Sequence, residues 1–276
     1  MRIEFSKMHG LGNDFMVIDQ ISQDLRLSPE LIQRLSDRHT GVGFDQMLCV
    51  EAPTDPDCDF RYRIYNADGS EAEQCGNGAR CFAKFVIERG LSTKSELQLQ
   101  VASGRITTLL RDDDFVEVDM GVPTTVPAQI PFVTDVESMS YRLAVGGDLV
   151  ELVPISVGNP HAVIFVDSVN DAPVATLGAA LSRHERFPRG VNVGFCQVID
   201  SGFARLRVYE RAVGETRACG TGACAAAAAG VITGKFGERV KISLPGGKVK
   251  IKWPGTGHSL KMLGPACLVY EGHIEV

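Results

Sequence analysis

Short apolar runs, many of them alternating with polar residues and each cut off by Gly, Pro, Asn or Asp, recur along the whole chain. Runs of this kind read as strands with one or both faces buried. In the first half they predict strands at 2–8, 15–20, 45–51, 59–66, 96–101, 104–110 and 115–119. In the second half they predict strands at 141–145, 149–157, 162–167, 193–199, 203–210, 239–244, 247–252, 258–263 and 266–271. Helical spacing is rarer. It predicts helices over 29–37, 77–89, 171–183 and 221–233, the first opened by Ser28-Pro29 and the third by Asn170-Asp171 with Pro173. The first and third keep a polar side. Ala79, Phe82, Ala83, Phe85, Val86 and Ile87 cover most of the second, and alanine surrounds the fourth. A helix apolar on every side is a buried helix. Gly90 stops the second, and Gly230 or Gly234 stops the fourth. Short strands outnumber helices without a steady β-α-β rhythm, which speaks against a doubly wound sheet. The predicted fold is α+β (mixed α/β): two halves, each a curved mixed sheet wrapped around one central buried helix.

The two buried helices are announced by one short stretch that occurs twice. Gln74-Cys75-Gly76-Asn77-Gly78-Ala79-Arg80 is echoed by Ala218-Cys219-Gly220-Thr221-Gly222-Ala223-Cys224, at an offset of 144 residues. At that offset Arg61, Arg63 and Tyr65 fall on Arg205, Arg207 and Tyr209, and Glu71 falls on Glu215. Further upstream the register slips but the order of features holds: Gly12-Asn13 and Gly158-Asn159 each lead into an apolar run ending in Asp. The chain therefore reads as two copies of one half-domain, 1–119 and 120–264. The proline-bearing segment Val122 to Pro131 is the expected crossing between them. If the copies pack about a pseudo-twofold axis, their cysteine-capped helices bring two thiols to one cleft.

Composition narrows the class. At 276 residues with 44% hydrophobic content, the chain can build two cores of ordinary size. A net charge of −6 without long basic runs argues against nucleic acid as a partner. The opening Met1-Arg2-Ile3-Glu4-Phe5-Ser6-Lys7 lacks the apolar core and cleavage site of a signal peptide. The alanine-rich stretch from Ala223 to Ile232 is too short to span a bilayer. A cytoplasmic protein without a membrane partner is expected, with its eight cysteines as reduced thiols.

A thiol at a helix N-terminus meets unpaired backbone N–H groups and the positive end of the macrodipole, so its pKa is expected to fall. The adjoining glycines let those amides converge on an anion. Two weak acids on opposite faces of a carbon can invert it, one removing a proton and the other returning one from the far side. For an amino acid, the amides of Gly76, Asn77, Gly220 and Thr221 can hold the carboxylate as charge develops. The resting pair is expected to be one thiolate and one thiol, because two thiolates so close would repel. No pyridoxal-phosphate lysine, nucleotide fingerprint or other electron sink is evident, so no cofactor and no metal are expected.

Lys7-Met8-His9-Gly10-Leu11-Gly12-Asn13-Asp14-Phe15, Asn66-Ala67-Asp68-Gly69-Ser70, Gly158-Asn159-Pro160-His161, Tyr209-Glu210-Arg211 and the two cysteine motifs together resemble diaminopimelate epimerases over nearly the whole chain. The resemblance implies two pseudo-symmetric α/β halves with the substrate between them. It implies interconversion of LL- and meso-diaminopimelate without a cofactor, on the route to lysine and peptidoglycan. It makes Cys75 and Cys219 the acid/base thiols, with His161 and Glu210 as polar neighbours that set their protonation. Asn13 and Gln46 would hold the reacting amino group. Asn66, Asn159, Asn192 and Arg211 would grip the distal end, with a buried Arg211 on its carboxylate. It also implies that residues 265–276 return to complete the first half, and that the protein is a homodimer with Tyr270 at the contact.

Rival readings carry less. Cys49, Cys58, Cys81, Cys196, Cys224 and Cys267 are expected to be small core or surface groups. A zinc site from Cys75 with Cys81 and Cys219 with Cys224 is discounted, because the first pair's spacing is wrong for a knuckle and falls across a helix start. Gly220-x-Gly222-x-x-Ala225 formally fits a dinucleotide fingerprint and suggests an oxidoreductase, but Thr216-Arg217-Ala218 ahead of it is no buried strand. Proline racemases share the two-cysteine arrangement and differ in the distal pocket, where this chain carries asparagines and Arg211.

Overall fold

The computed structural model describes residues 1–72, 75–102, 104–111, 115–211 and 213–276. Gln74, ahead of the first cysteine, lies outside the described residues. The chain divides into two compact units, Met1–Asp119 with Leu263–Val276, and Met120–Met262.

The first unit contains β1 (Arg2–Gly10), β2 (Asn13–Asp19), α1 (Pro29–Ser36), β3 (Gln46–Glu51), β4 (Phe60–Asn66), β5 (Glu71–Ala72), α2 (Gly76–Glu88), β6 (Glu96–Val101), β7 (Gly104–Leu110) and β8 (Phe115–Asp119). β1 and β2 form a hairpin, β2 and β3 run parallel, and β3 and β4 are antiparallel. β5 pairs antiparallel with one end of β4 and β6 parallel with the other, and β6, β7 and β8 form a meander. Both loop residues of the first hairpin have positive φ, 59° at Leu11 and 85° at Gly12. That is the backbone a two-residue type I′ turn demands, and a leucine adopts it only under constraint. The turn sets Asn13 at the head of β2.

The second unit repeats the plan. It contains β9 (Tyr141–Val145), β10 (Asp148–Ser156), β11 (Pro160–Phe165), α3 (Val174–Ser182), β12 (Asn192–Asp200), β13 (Phe203–Glu210), β14 (Gly214–Thr216), α4 (Gly220–Ile232), β15 (Arg239–Leu244) and β16 (Gly247–Lys252). From β10 to β16 the pairings run antiparallel, parallel, antiparallel, antiparallel, parallel, antiparallel, the same sequence as from β1 to β7. The chain passes from the second unit to the first within β17 (Lys261–Pro265), and β18 (Cys267–Glu275) then lies antiparallel to β1.

In each unit the sheet closes around one helix. α2 touches β1, β2, β3, β4, β7, β8 and β18; α4 touches β10, β11, β12, β13, β15 and β16. The other face of each sheet carries the more amphipathic helix. Met47 and Cys49 on β3 pack in the core beneath α1 with Ile32 and Leu35, while the alternate residue Leu48 reaches α2 at Gly78. Val193 and Phe195 on β12 pack likewise with Val174 and Leu181 of α3.

Several boundaries differ from expectation. α3 starts at Val174, capped by Pro173, so Asn170-Asp171 falls in the turn ahead of it. The strand expected at 258–263 begins only at Lys261, and the one expected at 266–271 runs on to Glu275 because it pairs along all of β1. β5 and β14 are too short to carry a periodic signal. The unit boundary falls at Asp119/Met120, the edge of the expected first half, and the segment expected as the crossing, 122–131, does not straddle it. That segment lies in the second unit, where Thr124 bridges Ser156 and Pro127–Gln129 form a 3-10 turn. Gly230 does not stop α4: the helix continues to Ile232, and Gly234 follows with φ of 71°.

Candidate active site

Each cysteine caps its helix. Cys75 has extended backbone, and its sulfur accepts the Gly78 amide at 3.4 Å. Cys219 does the same for α4, accepting the Gly222 amide at 3.4 Å. The second glycine of each turn is required by packing. A Cβ at 78 would stand 2.2 Å from the Tyr62 hydroxyl, and one at 222 would stand 2.9 Å from Cγ2 of Val208. Each helix start is thus pressed directly onto a strand of its own sheet.

In the first unit, Asn13, Cys75 and Asn77 come together. The half-buried Cys75 places Sγ 3.7 Å from Oδ1 of Asn13, and the same oxygen accepts Nδ2 of Asn77 at 3.3 Å. Nδ2 of Asn13 donates to Oδ2 of Asp45 at 2.9 Å. Oδ1 of Asn77 accepts from the guanidinium of Arg80 at 2.8 Å. Arg80 is fully buried and also donates to the carbonyls of Gly76 and Pro265. Gln46 and Asn66 face each other across β3 and β4, Nε2 of Gln46 donating to Oδ1 of Asn66 at 2.9 Å. Asn66 in turn donates to Ser70. Behind Asn13, Asp14 is bound by Lys7 at 2.5 Å and by both ends of the Arg38 guanidinium, and Arg38 also pairs with Asp45 at 2.9 Å. Burial pushes the Asp14 carboxyl up, but the hydrogen bonds from Arg38 and Lys7 outweigh it and hold the group well below the usual carboxylate range.

In the second unit, Asn159, His161, Thr221, Cys219 and Glu210 form one network. Oδ1 of Asn159 accepts Nε2–H of His161 at 2.9 Å, and Nδ2 of Asn159 donates to Oγ1 of Thr221 at 3.3 Å. The Thr221 hydroxyl lies 3.6 Å from Sγ of Cys219. Glu210 bonds the same sulfur and accepts the Thr216 hydroxyl at 2.5 Å. Asn192 sits opposite His161 in the β11/β12 register and accepts the backbone amide of Arg211 at 3.0 Å. Gly76, Asn77 and Gly220 are buried at the two helix starts.

Two expectations are corrected. The helix N-terminus does not lower the Cys219 thiol. Burial pushes it well above its ordinary value and the Glu210 carboxylate adds to this, against smaller opposing bonds from Thr221 and the Gly222 amide. Arg211 is exposed, because it opens the turn after β13, and its guanidinium donates to the Arg189 carbonyl at 3.0 Å. His161 is wholly buried. Burial, then the charge of Arg211, push its pKa down to about 3, so the ring is neutral. Its Nδ1 has no hydrogen-bond partner among the described residues.

Asp45, Tyr62, Arg80 and Thr216 were not singled out from the sequence. Arg80 alone carried a signal, as a cation in an otherwise apolar helix that must find partners once buried. Tyr62 donates its hydroxyl to the Cys75 carbonyl at 3.2 Å. Among the described residues no group of three or more His, Cys, Asp or Glu side chains is placed to hold a metal ion. The dinucleotide reading also fails locally: the strand before the second turn, β14, is three residues long and not buried.

A family profile described as diaminopimelate epimerase matches residues 5–126 and 153–269. The chain is similar to diaminopimelate epimerase of Ectopseudomonas mendocina (strain ymp), with 55% identity over 276 residues covering 100% of both chains. Among solved structures it is similar to a Bacillus anthracis phenazine biosynthesis protein of the PhzF family, at a TM-score of 0.72 and 17% identity covering 100% of both chains. It is also similar to a hydroxyproline epimerase from Agrobacterium vitis, at a TM-score of 0.71 and 15% identity, covering 99% of this chain and 92% of that one. The two structural likenesses establish the mixed α/β fold.

Proposed function

The chain belongs to the diaminopimelate epimerase family, and from that premise we propose that it interconverts LL- and meso-2,6-diaminopimelate by a two-thiol mechanism. The carrying observation is the full-length identity to a diaminopimelate epimerase, joined to a duplicated half-domain whose two copies each end a loop in a cysteine-capped buried helix. Oxidoreductase and proline racemase readings have no comparable support.

In this mechanism one sulfur acts as thiolate, forming S–H as the substrate Cα–H bond breaks. The other acts as thiol, giving its proton to the opposite face as the new Cα–H bond forms. The developing charge on the adjoining carboxylate is met by amides at the helix starts, at Gly76, Asn77, Gly220 and Thr221. Asn13 offers a carbonyl oxygen to the reacting ammonium, with Gln46 beside it. Glu210 and the neutral His161 fix the proton positions around Cys219, the first by direct contact and the second through Asn159 and Thr221. Arg211, with Asn66, Asn159 and Asn192, receives the distal amino-acid end. A symmetric proton exchange cannot itself discriminate among amino acids, so selectivity rests on that distal grip. No cofactor is required by this chemistry. We place the protein in the cytoplasm as a homodimer, with exposed Leu268, Val269 and Tyr270 on β18 at the contact.

Incubation with LL-diaminopimelate in D₂O tests the mechanism. Early meso product carries solvent deuterium at the inverted carbon and recovered substrate carries none. Equal early labelling of both would indicate a single base, and conversion of proline but not diaminopimelate would move the protein to the racemases.

A further inference from the structure

The hydrogen bonds around Cys75 run in one direction. They start at the guanidinium of Arg80, which can only donate, and pass to Oδ1 of Asn77 at 2.8 Å. They continue from Nδ2 of Asn77 to Oδ1 of Asn13 at 3.3 Å. They end where Nδ2 of Asn13 reaches the Asp45 carboxylate at 2.9 Å, a group that ion-pairs with Arg38 and, so paired, can only accept. A carboxamide can ordinarily turn over, exchanging donor for acceptor. Here a donor at one end and an acceptor at the other leave a single arrangement for both asparagines. The oxygen of Asn13 is thereby aimed at the Cys75 sulfur, 3.7 Å away.

We propose that Asp45 is a positioning residue: through its bond to Asn13 Nδ2 it keeps the Asn13 carbonyl oxygen toward Cys75, where that oxygen accepts the S–H proton. An acceptor at the sulfur stabilises the thiol, whereas an N–H donor would stabilise the thiolate. Without Asp45 the carboxamide loses its acceptor anchor, and only the longer 3.3 Å bond from Asn77 opposes a turn that offers Nδ2–H to the sulfur. In the proposed epimerase the same fixed oxygen receives the substrate ammonium, and this part of the inference rests on that functional reading. Among the described residues of the second unit, the hydrogen bonds of Asn159 go to His161 and Thr221 rather than to a carboxylate. There Asn159 is held the other way, its oxygen taken by His161 and its Nδ2 turned to Thr221. Among the described residues of the first unit, the titratable and charged groups around the Cys75 sulfur and its partners include Arg80 and Cys81 of α2, Tyr62 of β4, Asp14 of β2 with its partner Lys7, and Asp45 with its partner Arg38.

The test is the pH profile of Cys75 alkylation by iodoacetamide, read by mass spectrometry of the Cys75 peptide from the intact folded protein. Asp45→Ala removes a nearby negative charge as well as an acceptor, so the comparison is made in two backgrounds. With Asn13 present, Asp45→Ala lowers the alkylation midpoint by about half a pH unit or more. In the Asn13→Ala background the same substitution moves it by less than about half that amount, since only the charge is lost. Equal shifts in both backgrounds, or no shift with Asn13 present, would overturn the positioning role. Asp45→Asn keeps the side-chain shape and an acceptor oxygen, and it supplies the reading if the alanine variant folds poorly. Its midpoint then lies nearer wild type than that of Asp45→Ala, and a midpoint at or below that of Asp45→Ala counts against the proposal. The alkylation needs no substrate. If the two-background difference appears while wild-type protein leaves diaminopimelate unchanged, the functional reading fails and the positioning role stands.

Discussion

Gly78→Ala is a sharp probe of how the first cysteine is held. The ideal Cβ would lie 2.2 Å from the Tyr62 hydroxyl, well inside contact distance, and Tyr62 is fully buried. Alanine gains about 1 kcal/mol in helix propensity. Against this, displacing Tyr62 costs about 1 kcal/mol for its bond to the Cys75 carbonyl and about 1–3 kcal/mol in overpacking. The net expectation is a loss of about 1–3 kcal/mol. Tyr62→Phe alone costs about 1 kcal/mol, because the Cys75 carbonyl keeps the Ala79 amide at 2.8 Å. In the double variant the offending oxygen is gone and the propensity gain remains, so stability returns to within about 1 kcal/mol of wild type. Urea titrations of the four proteins, compared at constant m-value, measure the coupling. A favourable coupling of about 2–4 kcal/mol is expected. Additivity within about 0.5 kcal/mol would refute the claim that a hydroxyl against the helix start is what demands glycine at 78.

Cys75→Ala and Cys219→Ala are each expected to abolish epimerisation while leaving a folded protein weaker by about 1 kcal/mol, the usual loss for an N-cap; circular dichroism with a racemisation assay reads both effects, and more than a few per cent residual activity in either would contradict the two-thiol assignment. His161 predicts an acid sensitivity, since its folded pKa of about 3 lies below the ordinary 6.5. The unfolded chain takes up this proton as pH falls below about 6.5 and the folded chain does not. Stability present at neutral pH is therefore lost on acidification, by about 1.4 kcal/mol per unit. Between pH 6.5 and 5, where the unfolded ring is between half and fully protonated, the slope of urea stability should shrink by about 1 kcal/mol per unit in His161→Gln; an unchanged slope would show that the buried ring is not its source.

Much of this fold is legible along the chain because its elements carry strong periods. The strands from β1 to β4 and β10 to β13 alternate or run apolar, and α2 and α4 are apolar on nearly every side. The repeated Cys-Gly-x-Gly turn identified both helix starts. What the sequence could not convey depends on distance in space. Asp45 and Tyr62 lie far along the chain from Cys75, and nothing in their own neighbourhoods distinguishes them. The Cys219 thiol was misjudged because a helix end is a local feature, whereas burial and the approach of Glu210 are tertiary ones, and here they dominate. Arg211 was expected to be buried, yet its place one residue beyond β13 leaves it at the surface.

The duplication poses a chemical problem that the side chains resolve. Two identical halves would give two identical thiols, and a two-base exchange needs them to differ by one proton. The backbone pairing order is the same in both units, so the difference must come from the groups around each sulfur. At the offset that aligns the cysteines, Asn66 falls on Glu210: one unit has a carboxamide where the other has a carboxylate bonded to its sulfur. The paired asparagines diverge as well. Asn13 turns its oxygen to Cys75, while Asn159 gives its oxygen to His161 and its Nδ2 to Thr221. The Thr221 hydroxyl beside Cys219 favours its charged form as a donor, but the Glu210 carboxylate bonds the same sulfur, so Cys75 meets a neutral acceptor where Cys219 meets an anionic one. Burial and Glu210 oppose that donor, which keeps the charged form of Cys219 costly. Repetition thus supplies matched scaffolds, and a few divergent polar residues make the two thiols chemically distinct.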